Sequence, residues 1–201
     1  MKRIVFHLNT LAQGGAERVV STLANRLSDR FEVIVATLWF SDNEYPLKDG
    51  VRRVDLGLTK EQQQKGRIGK ACCRMQNLDR FLKREKPDVL ISFEKKANYR
   101  AILAAAGKNI PVIFSVRTNP YLHYVTRADR FLIPLLLTRA AGAVFQTVGA
   151  KDFFTEKIQK KSRVILNPIH AKYLDLPKPM QRKKEVVQSG RIVDFKNQAM
   201  L

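Results

Sequence analysis

The chain has 201 residues, of which 45% are apolar, enough to bury a substantial core in one globular domain or in a domain with part of a second. Its formal net charge of +19 attracts polyanions, which include nucleic acid, an anionic membrane surface and phosphorylated substrates. Lysine and arginine are scattered along the whole chain without the motifs of nucleic-acid-binding folds. The composition therefore argues against nucleic acid as the partner.

The apolar run near the N-terminus, residues 4–8, is too short for a signal peptide or a membrane span, so we expect a cytoplasmic protein. Cys72 and Cys73 are adjacent, which disfavours a disulfide between them, and we expect both to be buried in a helix. His7 is expected in the core or at the edge of a cleft. No metal-ligand spacing joins the histidines, so no metal site is predicted.

Seven short runs rich in β-branched residues predict strands, at 3–9, 32–38, 51–56, 88–93, 111–116, 142–147 and 163–166. The first run and the fourth to sixth runs are continuously apolar, which is typical of a parallel sheet covered by helices on both faces. Helical patterns separate several of these runs. The sequence therefore predicts an α/β fold with a doubly wound parallel sheet.

The clearest helix follows the first strand and ends near residues 29–30. Its apolar stripe consists of Ala16, Val19, Val20, Leu23, Ala24 and Leu27. A second helix is predicted over 69–85, with Cys72, Met75, Leu78 and Leu82 on one side, and a third over 97–107, ending at a glycine. Between the third strand and the second helix, the polar and basic segment 59–67 predicts a mobile loop.

The pattern changes after the last strand, where Asn167-Pro168 signals a turn. Residues 169–184 form a basic, proline-bearing stretch without a clean period, which we interpret as an interdomain linker. Residues 185–201 have the pattern of a strand, a turn and the opening of a helix. We therefore predict a first domain over 1–168, a linker over 169–184 and the truncated start of a second domain over 185–201.

Small residues in the turn Gln13-Gly14-Gly15-Ala16-Glu17 leave backbone N–H groups at a helix N-terminus, where the helix dipole favours an anion. The G-x-G-x-x-G and G-x-x-x-x-G-K-[ST] patterns are both absent, which argues against bound NAD and P-loop chemistry. Taken alone, the two adjacent glycines fit a tight structural turn as well as an anion site.

Four motifs in order resemble a known family. They are Gly14-Gly15-Ala16-Glu17-Arg18-Val19-Val20, Lys86-Pro87-Asp88-Val89-Leu90, the segment 143–147 followed by 164–169 with Asn-Pro-Ile, and Gly190-Arg191-Ile192-Val193 followed by Lys196-Asn197-Gln198. The set is similar to the N-terminal part of the retaining, family 4-like glycosyltransferases of the GT-B fold, which share the GGAE turn. The resemblance covers nearly the whole chain, and it implies a Rossmann-like acceptor-binding domain.

The resemblance implies transfer of a hexose-type sugar from a nucleotide-sugar to a glycan or a polyprenyl-diphosphate-linked acceptor, in polysaccharide or cell-envelope biosynthesis. No cofactor or metal is implied, because the nucleotide-sugar is a co-substrate. The family's donor pocket and E-x7-E motif are expected beyond residue 201, so we expect these residues to be inactive alone. The alternative is a truncated, non-catalytic domain that binds an acceptor, a membrane or a partner chain.

By the same resemblance, the turn at Gly14 and Gly15 faces the cleft between the domains and approaches the sugar or a phosphate. Glu17 either belongs to this substrate site or is a first-turn carboxylate that stabilises the helix dipole. Many relatives carry a histidine after the fifth strand, where this chain has Arg117 and then Asn119. These two residues are expected to contact the acceptor or the sugar, but the role of the histidine is not transferred to them. No catalytic residue is assigned.

At the other end of the chain, Arg191 and Lys196 resemble the basic pair that neutralises the donor diphosphate and stabilises the departing nucleotide. The segment 127–139 encloses an apolar run between cations and permits two interpretations. It either lies on an anionic membrane surface, at the inner face of the cell membrane, or forms a core-facing helix before the sixth strand.

Overall fold

A computed structural model of the chain describes residues 1–167, 184, 185 and 200. The chain divides into two compact units, residues 1–168 and 169–201, and nearly all described residues belong to the first. In this part of the chain, parallel strands form a seven-stranded sheet in the order β3-β2-β1-β4-β5-β6-β7. The strands are β1 (Arg3–His7), β2 (Glu32–Thr37), β3 (Val51–Asp55), β4 (Val89–Phe93), β5 (Val112–Val116), β6 (Gly142–Phe145) and β7 (Ser162–Val164).

The central strands are buried because apolar residues point to both faces of the sheet. Four of the five residues of β1 are buried, and Val5 pairs with Ile34 on one side and Leu90 on the other. Strand β3 differs because it lies at the edge of the sheet, where its residues are exposed or only partly buried. Its charged side chains Arg52 and Arg53 suit such an edge.

Helices connect the strands and cover both faces of the sheet. They are α1 (Gly15–Leu27), α2 (Lys60–Gln63), α3 (Arg67–Glu85), α4 (Lys95–Ala105), α5 (Pro120–His123), α6 (Arg127–Leu135), α7 (Val148–Asp152) and α8 (Glu156–Gln159), with a 3-10 turn at Leu137–Arg139. After α4, Gly107 adopts a left-handed φ of 71°, so it stops the helix as the sequence predicts.

The two faces of the sheet bury separate cores. Successive residues of a strand point to opposite faces, and Phe6 packs with Val20 of α1 while Val5 packs with Leu82 of α3 and with Phe114. Helix α1 therefore covers one face, and α3 and α4 cover the other. This arrangement confirms the predicted doubly wound α/β fold.

Local details differ from the predictions. Helix α3 begins at Arg67, and Cys73 is buried while Cys72 is exposed, so the expectation that both cysteines are buried is wrong. The reason is helical geometry, since neighbouring residues point about 100° apart and only one of the pair faces the core. The segment 59–67, predicted as a loop, contains the short helix α2, which Thr59 caps.

The predicted linker 169–184 and the second-domain start 185–201 lie outside the described residues, apart from three isolated positions. The structure therefore describes the first of the two units, and only isolated residues of the second. Helices α5, α7 and α8, each of four or five residues, have no counterpart among the predicted elements. Helices this short lack the repeated apolar spacing by which longer helices are predicted.

The strand order reverses between β1 and β4. Strands β1 to β3 extend the sheet in one direction and β4 to β7 extend it in the other. The connections that leave β1 and β4 therefore diverge to opposite faces and leave a crevice at the carboxyl ends of these two strands. Ligands of open α/β sheets bind at such a crevice, so the loops after β1 and β4 mark the candidate site.

Candidate functional site

The candidate site lies at the carboxyl ends of β1 and β4. The backbone N–H of Asn9, in the loop after β1, donates a hydrogen bond of 2.9 Å to Oε2 of Glu94, the residue between β4 and α4. This contact joins the two halves of the sheet at the point where their connections diverge. The floor of the crevice is therefore built from both loops.

Gly14 and Gly15 begin α1 at this crevice, but they play different structural parts. A Cβ atom at Gly14 would overlap with the carboxylate of Glu17, whereas a Cβ atom at Gly15 would meet nothing within 4 Å. Gly14 therefore makes room for Glu17, and exposed Gly15 leaves the backbone at the start of the helix accessible. The structure brings together these three residues, which the sequence predicts as site residues.

Arg117 follows β5 and reaches back toward the end of β4. Its guanidinium lies over the ring of Phe93, 5.6 Å from the ring centroid, and its Nε donates a hydrogen bond of 2.9 Å to Ser115 Oγ. Its Nη1 donates to Asn167 Oδ1 at 2.8 Å, which links β5 to the chain after β7. Burial lowers the pKa of Arg117.

Asn119 stands two residues further along, at the start of α5, and is exposed. Its side-chain oxygen accepts a hydrogen bond of 3.0 Å from the N–H of Tyr121, so this oxygen caps the helix. The structure thus brings Arg117 to the corner formed by β4, while Asn119 has a local structural role at the rim. Arg191 and Lys196 lie outside the described residues.

A buried pair of side chains supports the floor of the crevice. His7, at the end of β1, donates from Nδ1 to the carbonyl oxygen of Ala36 at 2.9 Å, and its Nε2 accepts a hydrogen bond of 2.8 Å from Arg100 of α4. These partners require the neutral ring. Burial, with the nearby charge of Arg100, lowers the pKa of His7 to about 3. His7 is therefore a core residue, one of the two positions expected from the sequence.

Arg100 is itself 9% exposed, and burial lowers its pKa to about 10. Its second guanidinium nitrogen lies 3.5 Å from Asn9 Oδ1, so Arg100 connects α4 to the loop after β1. The sequence reasoning missed both Arg100 and Glu94. Arg100 stands in an alanine-rich helix, and Glu94 directly follows a buried strand; each is a charged residue beside apolar neighbours, which is the signal that would have found it.

Glu94 has an unusual backbone, with φ 73° and ψ 141°. Burial raises the pKa of its carboxyl group, the Asn9 N–H opposes that rise, and the charge of Glu17 adds to it. The charge of Glu17 therefore reaches Glu94 and disfavours its ionised form.

A cationic groove lies between α3 and α4. It has a volume of about 470 Å³, and the cations on its walls are Arg67, Lys70, Arg74, Lys96 and Arg100. The first three recur at i, i+3 and i+7 along α3, which places them on one side of that helix. None of the described residues that line the groove is acidic. Helices α3 and α4 both begin at the carboxyl edge of the sheet, since each follows the preceding strand there, so the groove approaches the crevice.

Helix α6 has one buried side and one exposed side. Asp129 and Ile133 are buried, whereas Phe131 is 74% and Leu135 is 55% exposed. The segment therefore forms a helix that packs on the core, as one of the two interpretations expects, and its other side presents apolar residues to solvent. Exposed Arg127 flanks these residues on the same side.

Asp129 fixes the start of α6 near the crevice. Its carboxylate accepts hydrogen bonds from Lys95 Nζ and Tyr99 Oη, both at 3.0 Å, and caps the helix with Thr126. Burial acts to raise the pKa of Asp129, but the hydrogen bonds from Thr126 and Lys95 lower it overall. Lys95 is the first residue of α4, so the exposed side of α6 begins beside the site.

None of the described helices has the length and hydropathy needed to cross a membrane.

Comparison with known proteins adds to this geometry. The model of Glycosyltransferase Family 4 matches residues 13–173, which is most of the chain. A curated relative from Campylobacter jejuni, GalNAc-α-(1→4)-GalNAc-α-(1→3)-diNAcBac-PP-undecaprenol α-1,4-N-acetyl-D-galactosaminyltransferase, is 28% identical over 202 residues. The match covers 100% of this chain and 55% of that protein. The chain therefore spans about half the length of this relative.

Solved structures share the fold. The lipopolysaccharide outer core galactosyltransferase WaaB has a TM-score of 0.66 at 15% identity, over 91% of this chain and 50% of that one. Sucrose-phosphate synthase from Thermosynechococcus elongatus has a TM-score of 0.63 at 10% identity, over 83% and 48%. Alr3699/HepE of Anabaena, solved with UDP and glucose, has a TM-score of 0.61 at 15% identity, over 84% and 45%.

At such low sequence identities, the likeness to these solved structures concerns the fold alone. The solved structures confirm the expected Rossmann-like architecture of a GT-B glycosyltransferase. The family model carries the stronger statement, since it runs from the Gly14-Gly15 turn past the last strand. The resemblance drawn from the sequence motifs is confirmed: the chain belongs to glycosyltransferase family 4.

Proposed function

We propose that the chain is the acceptor-binding, N-terminal part of a retaining glycosyltransferase that transfers a hexose-type sugar from a nucleotide-sugar to a glycan or lipid-linked acceptor. The family match over residues 13–173 carries this proposal. The retaining stereochemistry and the sugar class follow from the motif resemblance. In this proposal residues 1–168 bind the acceptor, 169–184 link the domains, and 185–201 open the donor-binding domain, without which the chain is inactive.

The donor diphosphate is assigned to Arg191 and Lys196. Fixed cations at a leaving diphosphate favour the transition state, because negative charge grows on the departing nucleotide. Gly15 is proposed to lie where a sugar or phosphate approaches, since its backbone is exposed and an added Cβ atom would meet nothing within 4 Å. Arg117 is proposed to contact the acceptor or the transferred sugar from the end of β5.

The acceptor is proposed to carry a polyprenyl diphosphate. The cationic groove between α3 and α4 supports this assignment, because several cations and no acidic side chain among its described lining residues suit a multiply charged anion. The name of the Campylobacter jejuni relative specifies an acceptor linked through PP to undecaprenol. Acidic substitutions in the groove should then weaken the use of such an acceptor.

An acceptor of this kind resides in a membrane, so we propose peripheral attachment at the cytoplasmic face. The exposed side of α6 supports the attachment, since Phe131 and Leu135 present apolar surface beside Arg127. Such a surface binds the boundary of an anionic bilayer. In vesicle flotation, Phe131→Glu with Leu135→Glu should abolish binding to anionic vesicles, whereas Val148→Glu, at an exposed valine of α7, should not. Equal flotation of all three proteins would contradict the attachment.

The donor assignment is tested in a protein that joins this chain to the proposed donor-binding domain. The double substitution Arg191→Ala and Lys196→Ala should lower kcat for nucleotide release at least a hundredfold, since one oxyanion-stabilising donor alone is worth about 100- to 1000-fold. The matched control is Lys160→Ala, which removes an exposed lysine at the C-terminal end of α8 and should keep full activity. Full activity of the double variant would remove the assignment.

The acceptor assignment needs a separate measurement. Arg67→Glu with Lys70→Glu should raise KM for a polyprenyl-diphosphate acceptor and leave KM for the nucleotide-sugar unchanged. Arg80→Glu, on the same helix but outside the groove, serves as the control. An unchanged acceptor KM would contradict the role of the groove. Wild-type protein that binds the acceptor without releasing nucleotide would support the alternative of a non-catalytic binding domain.

A further inference from the structure

Glu94 has a backbone conformation that needs an explanation. Among the described residues, only Lys86 and Glu94 are non-glycine residues with positive φ. Lys86, with φ 46° and ψ 57°, is a left-handed cap at the end of α3, which helix ends commonly use. Glu94, with φ 73° and ψ 141°, lies outside that region, in backbone space that only glycine enters readily. Such conformations persist mainly at functional sites.

The unusual backbone has a clear geometric result. Strand β4 ends at Phe93 and α4 begins at Lys95, so Glu94 alone makes the turn. Its carbonyl oxygen already accepts the N–H of Asn98 at 2.8 Å, and its side chain is directed to the loop after β1. The conformation therefore sets a carboxylate into the crevice instead of onto the helix surface.

One oxygen of this carboxylate is held and the other is available. Oε2 accepts the hydrogen bond from the Asn9 N–H. Oε1 has no hydrogen-bond partner within 3.5 Å among the described residues, and it is not among the buried unpartnered atoms there, so it is accessible to solvent. The side chain of Asn9 also acts on this carboxylate and opposes the rise in its pKa. A carboxylate that is pinned through one oxygen and open at the other is pre-organised to accept a hydrogen bond from a ligand.

We propose that Oε1 of Glu94 accepts a hydrogen bond from a hydroxyl group of the acceptor sugar and so helps to select the acceptor. The assignment rests on the proposed function. Uncharged hydroxyl groups are the donors that a sugar offers in abundance, and a hydrogen bond to a carboxylate is stronger than one between neutral groups. A site that hydrogen-bonds a substrate hydroxyl also discriminates against analogues that lack it.

The first experiment measures kcat/KM for the acceptor in a protein that joins this chain to the proposed donor-binding domain. Glu94→Gln keeps an oxygen for the Asn9 N–H but removes the charge, so kcat/KM should fall about ten- to hundredfold, the value of a hydrogen bond to a charged group. KM for the nucleotide-sugar and Tm should not change. Glu61→Gln, at an exposed glutamate of α2, is the control.

A panel of monodeoxy acceptors distinguishes direct contact from indirect positioning. One member should reduce the wild-type kcat/KM to the level of Glu94→Gln and have little further effect on that variant. If Glu94 acted through another residue, each deoxy acceptor would lower kcat/KM by the same factor in the wild type and in Glu94→Gln. That result would overturn the proposed contact. A Glu94→Gln variant within twofold of wild type would overturn it as well.

Thermal unfolding tests the backbone premise independently. Glu94→Gly and Glu94→Ala both lose the carboxylate, but only glycine relieves the strained φ, so the glycine variant should have the higher Tm, by at least about 2 °C. An alanine variant that is equally stable would contradict the strain. Wild-type protein that transfers no sugar from any donor would remove the proposed function, and this assignment with it.

Discussion

The buried His7 predicts a specific loss of stability in mild acid. Its pKa is about 3 in the folded protein and about 6.5 in an unfolded chain, so the folded state resists protonation. A lowered pKa of this kind gives stability that is complete above the unfolded value and is lost as the pH falls toward the folded value. Between pH 7 and pH 5 the unfolded histidine becomes charged while the folded one stays neutral. The difference lowers the free energy of unfolding by about 2 kcal/mol.

The comparison variant is His7→Gln. Glutamine offers both an N–H donor for Ala36 and an oxygen acceptor for Arg100, so it preserves the buried partners and removes only the titration. Urea unfolding of both proteins at pH 7 and pH 5 gives four free energies. The wild type should lose about 2 kcal/mol more than the variant over this interval.

Other groups do not produce this difference. Carboxyl groups with a lowered pKa, such as those of Asp79 and Glu85, also stabilise the folded protein. Their contribution begins to be lost only as the pH falls to their unfolded pKa values near 4, below the measured window. The raised pKa of Glu94 acts with the opposite sign, and it cancels because both proteins contain it. Equal losses for wild type and His7→Gln would refute the buried neutral histidine.

Two further substitutions test the site and the core. Gly15→Ala should keep or slightly raise stability, by up to about 1 kcal/mol, because the added Cβ meets nothing within 4 Å, yet it should lower transfer activity at least tenfold if a ligand approaches that backbone. Gly50→Ala, where a Cβ is equally unobstructed, should have the same small effect on stability and none on activity. Unchanged activity of Gly15→Ala would contradict the close approach. Phe114→Ala should cost about 3–5 kcal/mol in urea unfolding, since the buried ring packs against Phe145 and Phe154; a loss below 1 kcal/mol would contradict that packing.

Much of the fold could be predicted because it depends on local patterns of apolar residues in the sequence. The apolar runs of β1 and β4 predict buried parallel strands, and the spacing from Val19 to Leu27 predicts α1. The choice between Cys72 and Cys73 depends on a rotation of about 100° at one helix position, which an approximate helix boundary does not settle.

The candidate site divides in the same way. The turn at Gly14-Gly15 is a local motif, and the structure brings it to the switch point of the sheet. The placement of Glu94 and Arg100 at the site depends on the pairing of β1 with β4, which joins residues more than 80 positions apart, as the Asn9 to Glu94 hydrogen bond illustrates. The roles of Arg191 and Lys196 remain predictions from the motif.

Sugar transfer itself tests the central claim most directly. A protein that joins this chain to the proposed donor-binding domain is incubated with a panel of nucleotide-sugars and a polyprenyl-diphosphate-linked glycan, and the mass of the acceptor is measured by mass spectrometry. We expect one donor to add the mass of a single sugar residue to the acceptor, with release of the matching nucleotide diphosphate. An acceptor mass that stays unchanged with every donor, while a known family enzyme extends its own acceptor under the same conditions, would contradict the assignment of this chain to such an enzyme's acceptor-binding half.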